Sequence, residues 1–122
     1  MSFLSKLVAL LTPDIASQVS AAEAKRAISS PNSSRPLLLD VRTSGEWKQG
    51  RITGARHADI SSGDFDAKVR AIPREAEILL YCQSGARSRL AMSRMRSMGF
   101  TRLKHLSGGM GSWRSAGFPV VK

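Results

Sequence analysis

Ile78-Leu79-Leu80-Tyr81 runs directly into Cys82-Gln83-Ser84-Gly85-Ala86-Arg87-Ser88-Arg89, and the reading of this stretch decides the fold. The apolar run is too short for a helix and fits a strand covered on both faces in a parallel sheet. The chain then turns through a glycine into a segment predicted as a helix over Ser88–Met98, closed by Gly99 in the position of a helix C-terminal glycine. Cys82 therefore falls at the carboxyl end of a parallel strand, the edge at which open α/β sheets bind ligands.

Three effects converge on that sulfur: loop amides, the positive end of the following helix, and the charges of Arg87 and Arg89. All three favour thiolate over thiol, and the same groups suit an oxyanion brought to the sulfur. A lone cysteine is more often a core residue than a reagent. A core cysteine has no need of a glycine loop and two arginines immediately downstream, so Cys82 is read as the nucleophile.

Working outward, Leu37-Leu38-Leu39-Asp40-Val41 repeats the buried-strand pattern, and Leu103–Leu106 is a weaker third candidate. Helices are predicted around Ser44–Gln49 and Phe65–Ala71. Val19-Ser20-Ala21-Ala22-Glu23 carries a capping box between Ser20 and Glu23, with Ala21, Ala24 and Ile28 on one face of the helix that follows. Ser29–Pro36, rich in Ser, Pro and Asn, reads as a surface loop. Strand and helix alternate, so the class is α/β, in one domain. On the helix after the cysteine loop, Ala91, Met92, Met95 and Met98 share a face opposite Arg89, Ser93 and Arg96, a stripe read as core packing. Trp47 and Trp113 are likewise read as packing residues.

A chain of 122 residues with 42% hydrophobic content can build one core without staples. Its single cysteine makes no internal disulfide and suits a reducing compartment, so a cytoplasmic location is expected. The formal charge is +10, and residues 78–122 hold six Arg, two Lys and no acid, hence +8 of that total. Such a field suits an anionic substrate, a nucleic acid or an acidic protein, and equally a solvated basic face. The chain offers one Tyr and no aromatic-glycine reader motif, so no nucleic-acid partner is expected.

One Cys and two separate histidines, His57 and His105, do not make a metal site, which wants about four ligands. A Cys–His pair stays open for either histidine. At the N-terminus, Phe3, Leu4, Leu7, Val8 and Leu11 form an amphipathic stripe over residues 1–13, set apart from the domain at 14–122. Its apolar run is short and ends at Thr12-Pro13, so export is not expected. No segment approaches the roughly 20 apolar residues that cross a bilayer. Self-association through residues 1–12 is one expectation, with docking on the domain as the alternative.

The chain resembles the rhodanese family of sulfurtransferases from about Val19 to Val121. The resemblance rests on Leu38-Leu39-Asp40-Val41-Arg42 with Glu46 and Trp47, on Gly50-x-Ile52-x-Gly54-Ala55, on the Cys82–Ser88 loop, on Gly99, and on Gly108-Gly109 with Trp113 and Gly117-Phe118-Pro119. It implies a rhodanese-like central parallel sheet flanked by helices on both faces. It also implies a persulfide on Cys82, thiosulfate or a related sulfane as donor, a thiophilic acceptor (cyanide, a thiol or a partner protein) and no organic cofactor. On that analogy the amides of Gln83, Ser84, Gly85, Ala86, Arg87 and Ser88 cradle the anion, and Arg87 contacts substrate. Asp40, Arg42 and Glu46 resemble the family's charged residues that brace neighbouring loops, in a role either structural or functional. Arg51, where the family often has His, and Arg56-His57, where an apolar residue is common, depart from the pattern.

Two rivals accompany this reading. A cysteine phosphatase or arsenate reductase places arginine six residues after the cysteine, where this chain has Ser88; Arg87 comes one residue early. A non-catalytic binding or regulatory module would use the basic face and leave the cysteine incidental.

Overall fold

The computed structural model describes residues 17–31 and 34–122. The N-terminal stripe at residues 1–13 lies outside the described residues. Among the described residues ten elements alternate: β1 (Gln18–Val19), α1 (Ala21–Ile28), β2 (Leu37–Asp40), α2 (Ser44–Gln49), β3 (Arg56–His57), α3 (Phe65–Arg70), β4 (Ile78–Tyr81), α4 (Ala86–Ser97), β5 (Leu103–Leu106) and α5 (Gly109–Ser115). The strands form one sheet in the order β1-β5-β4-β2-β3, every pair parallel.

β4 is the central strand, and all four of its residues are buried, as its unbroken apolar run requires. Alternation along the strands divides the interior into two layers. Leu39, Val41, Ile78, Leu80 and Leu103 pack on one face against Phe65 and Val69 of α3 and Ala91, Met92 and Met95 of α4. Leu38, Leu79, Tyr81 and Leu106 pack on the other against Ala24 of α1 and Met110 and Trp113 of α5. Fully burying one such side chain contributes about 1.5–3 kcal/mol. The helices therefore cover both faces, as expected for the class, and the methionine stripe of α4 is core.

Local signals hold in detail. Ser20 accepts from the Glu23 amide at 3.1 Å while Glu23 accepts from the Ser20 amide at 3.0 Å, the reciprocal cap of α1. Thr43 and Glu46 form a second capping box on α2. α4 begins at Ala86, two residues before the expected Ser88, because Gly85 rather than Arg87 is its N-cap; it ends at Ser97 with Gly99 just beyond at φ +100°. Three elements had no sequence signal: the short edge strands β1 and β3, and α5.

Candidate active site

Cys82 follows β4 directly, and the loop from Gln83 to Gly85 curls back over its side chain. Gly85 has φ +108°, a left-handed conformation that a side chain resists, and this turn brings its N–H to 3.0 Å from Cys82 Sγ. The Cys82 thiol donates to Ser88 Oγ at 3.7 Å, and Ser88 Oγ donates in turn to the Gly85 carbonyl at 3.1 Å. Burial works to raise the Cys82 pKa. The Ser88 amide and hydroxyl, with the amides of Gly85 and Ser84, outweigh it, and the thiol lies below its ordinary value.

The loop is braced from behind by α5. The Met110 amide donates to the Cys82 carbonyl at 2.9 Å and the Gly111 amide to the Gln83 carbonyl at 3.1 Å. In a planar trans peptide the C=O and N–H point opposite ways. Anchoring those two carbonyls on α5 therefore turns the amides of Gln83 and Ser84 away from α5, and the Ser84 amide is among those that reach the sulfur. Such close approach requires glycine at 109, where φ is +55° and an added Cβ would stand 2.7 Å from the Gln83 carbonyl carbon.

Of the remaining residues singled out in the sequence, Gln83, Ser84 and Ala86 are exposed at the loop, whereas Gly85 and Ser88 are buried. Arg87 is held in a two-pronged ion pair by Glu46, Nη1 to Oε1 at 2.6 Å and Nη2 to Oε2 at 2.8 Å. The Arg87 guanidinium lowers Glu46 to about 2 despite partial burial. Glu46 in turn raises Arg87, whose charge also interacts with Cys82.

Asp40 and Arg42 form a separate, buried pair at 2.8 Å, with 0% and 3% side-chain exposure. Arg42 also donates to the Gly50 carbonyl at 2.6 Å, so the pair ties the end of β2 to the chain after α2. Beside it the Ile52 amide donates to Tyr81 Oη at 3.1 Å, and burial pushes the Tyr81 phenol upward. Two of the residues that depart from the family pattern, Arg51 and His57, meet Trp47 at this edge: Arg51 lies 4.4 Å over the Trp47 ring, and Trp47 stacks on His57 at 4.8 Å. His57 Nε2 is 2.7 Å from the Arg42 carbonyl. His105, on β5, instead reaches toward Cys82, with Nδ1 3.0 Å from Ser88 Oγ. The sequence left a Cys–His pair open for either histidine; the link of His105 to the site through Ser88, seventeen residues away, gave no sequence signal. Among the described residues no three His, Cys, Asp or Glu side chains converge as metal ligands, and no helix is long and apolar enough to cross a membrane.

The fold and the site together define a parallel α/β domain whose central strand ends in an amide-held cysteine. The chain belongs to the rhodanese-like domain family, matching it over residues 20–116. It is similar to a sulfurtransferase of Allochromatium vinosum, 34% identical over 70% of this chain and 78% of that protein. It is also similar to the thiosulfate sulfurtransferase GlpE of Pseudomonas fluorescens, 32% identical over 65% of this chain and 71% of that one. Among solved structures it resembles a rhodanese-related protein from Thermoplasma volcanium, with a TM-score of 0.73 and 27% identity over 85% of this chain and 96% of that one. Several other relatives share the domain only as a part, the match spanning 26%, 47% and 19% of their lengths.

Proposed function

We propose that the protein is a sulfurtransferase that moves a sulfane sulfur from thiosulfate or a similar donor to a thiophilic acceptor through a persulfide on Cys82. The observation that carries this reading is the Cys82 sulfur itself, buried yet lowered in pKa by loop amides and the Ser88 hydroxyl. The Cys82 thiolate attacks the outer sulfur of thiosulfate; the S–S bond breaks, and sulfite leaves with the bonding pair. A thiol, cyanide or partner protein then attacks the outer persulfide sulfur, and the Cys82 thiolate is the leaving group. The leaving sulfite and the persulfide are both anionic, so the same amides stabilise charge through both steps.

Arg87 supplies positive charge at the loop mouth, and its pairing to Glu46 fixes where that charge sits. Asp40 and Arg42 take the bracing role, since both are buried and bonded to each other and to the backbone. With no second cysteine, the persulfide requires an external acceptor. A reducing compartment such as the cytoplasm keeps this thiol available.

The test is the intact mass of the protein after incubation with thiosulfate, beside an aliquot then treated with cyanide and the Cys82→Ser variant. The expected result is one added sulfur atom on the wild type, removed by cyanide and absent from the variant. No added sulfur would refute thiosulfate as donor and favour a binding module or a dedicated protein donor.

A further inference from the structure

The Ser88 hydroxyl stands among three groups: the Gly85 carbonyl oxygen at 3.1 Å, His105 Nδ1 at 3.0 Å and Cys82 Sγ at 3.7 Å. Cys82 and Ser88 are wholly buried and His105 is 1% exposed. A hydroxyl has one proton to give and two lone pairs. The carbonyl only accepts, and so does a thiolate. With an unprotonated Nδ1, the ring would be a third acceptor for that single proton and lie nearer to it than the sulfur. With a proton on Nδ1, the ring takes a Ser88 lone pair instead, and the Ser88 proton turns to the charged sulfur in preference to the neutral carbonyl.

We infer that His105 is a positioning residue for the Cys82 thiolate: from β5 beneath the loop, its Nδ1–H holds Ser88 Oγ so that the Ser88 proton is directed at the sulfur. The inference rests on the reading of Cys82 as the nucleophile. Three features fix the ring in place. The His105 amide donates to the Ser17 carbonyl at 3.0 Å. β5 pairs His105 with Gln18 on one side and Leu80 on the other. Its Cε1 lies under the loop turn, 3.9 Å from where a Cβ on Gly85 would be.

Cys82 ends β4. On α4, Arg87 is paired to Glu46, Arg89 is exposed, Arg94 is paired to Asp66, and Arg96 donates to Ser17 Oγ ahead of β1. Lys104 of β5 is exposed. Among these, Cys82 and His105 are the two joined to one Ser88 hydroxyl.

The test measures Cys82 alkylation by iodoacetamide against pH in the wild type, His105→Leu and His105→Asn. Leucine removes the donor at similar bulk; asparagine keeps a side-chain N–H near the place of Nδ1. The expected result is a midpoint raised by about one unit in His105→Leu, the size of one lost charge-assisted hydrogen bond, and restored in large part by His105→Asn. A second measurement needs no substitution. Imidazole nitrogen NMR of the wild type above the alkylation midpoint is expected to find the proton on Nδ1 of His105.

An unchanged midpoint in His105→Leu, equal shifts in both variants, or a bare Nδ1 above the midpoint would each overturn the inference. Alkylation involves no sulfur donor, so these results bear on His105 whatever the persulfide measurement gives.

Discussion

Replacing Gly109 by alanine puts a methyl group where α5 meets the cysteine loop. The residue has φ +55°, and a side chain there costs roughly 1–2 kcal/mol in strain alone. The added carbon would also stand 2.7 and 2.8 Å from the Gln83 carbonyl atoms and collide with the Cys82 carbonyl oxygen. These are backbone atoms that no rotamer change can move, and overpacking of this kind costs about 1–3 kcal/mol more. The total, about 2–5 kcal/mol, lowers the melting temperature by roughly 8–20 °C in a domain of this size. Gly54→Ala is the control: φ there is +85° with nothing within 4 Å of the added carbon, so it carries strain without collision. Calorimetry on the two variants should show the larger loss for Gly109→Ala. Iodoacetamide alkylation should show a raised Cys82 midpoint in Gly109→Ala only, because the loop carbonyls lose their anchors. Equal melting temperatures for the two variants, or a wild-type alkylation profile in Gly109→Ala, would refute the bracing of the loop by α5.

Asp40→Asn leaves the buried Arg42 charge without its counterion, and urea denaturation should register a loss of about 3–5 kcal/mol; a loss under about 1 kcal/mol would mean the pair contributes no more than a surface one. Glu46 has a folded pKa of about 2 against an ordinary 4.5, so the stability it adds is fully present above pH 4.5 and is lost as pH falls toward 2. At 29% side-chain exposure the contribution is screened to about 1–2 kcal/mol. The stability difference between wild type and Glu46→Gln should therefore shrink across that window, and a difference independent of pH would contradict the Glu46–Arg87 assignment.

β2 and β4 were legible because a strand covered on both faces reads as a short apolar run, ended in β2 by Asp40, whose buried carboxylate is paired to Arg42. The caps of α1 and the glycine after α4 were legible because their bonds join near neighbours in sequence. β1 and β3 were not. Gln18-Val19 and Arg56-His57 are two residues each, too short to show a period, and they are strands only because β5 and β2 offer them partners. α5 opens Gly109-Met110-Gly111, with two residues that disfavour helix, and its start is secured instead by the loop carbonyls it binds. The cysteine loop showed in the sequence as a local pattern. Its outer supports, Glu46 and His105, were singled out without their partners: Glu46 meets Arg87 across 41 residues and His105 meets Ser88 across 17, distances at which no periodicity speaks.

The bonds from Met110 and Gly111 to the loop carbonyls also set an order of assembly. Cys82, Gly85 and Ser88 are close in the chain and can meet early, but the peptide groups that aim the Ser84 amide at the sulfur are held by a helix that begins at Gly109. Loop closure over that span precedes the reward of the contact. The share of the lowering that the Ser84 amide supplies therefore waits on α5, and the sulfur reaches its full reactivity only once that helix docks. Reactivity at Cys82 thus doubles as a clock for the completion of folding, readable by pulsed alkylation during refolding.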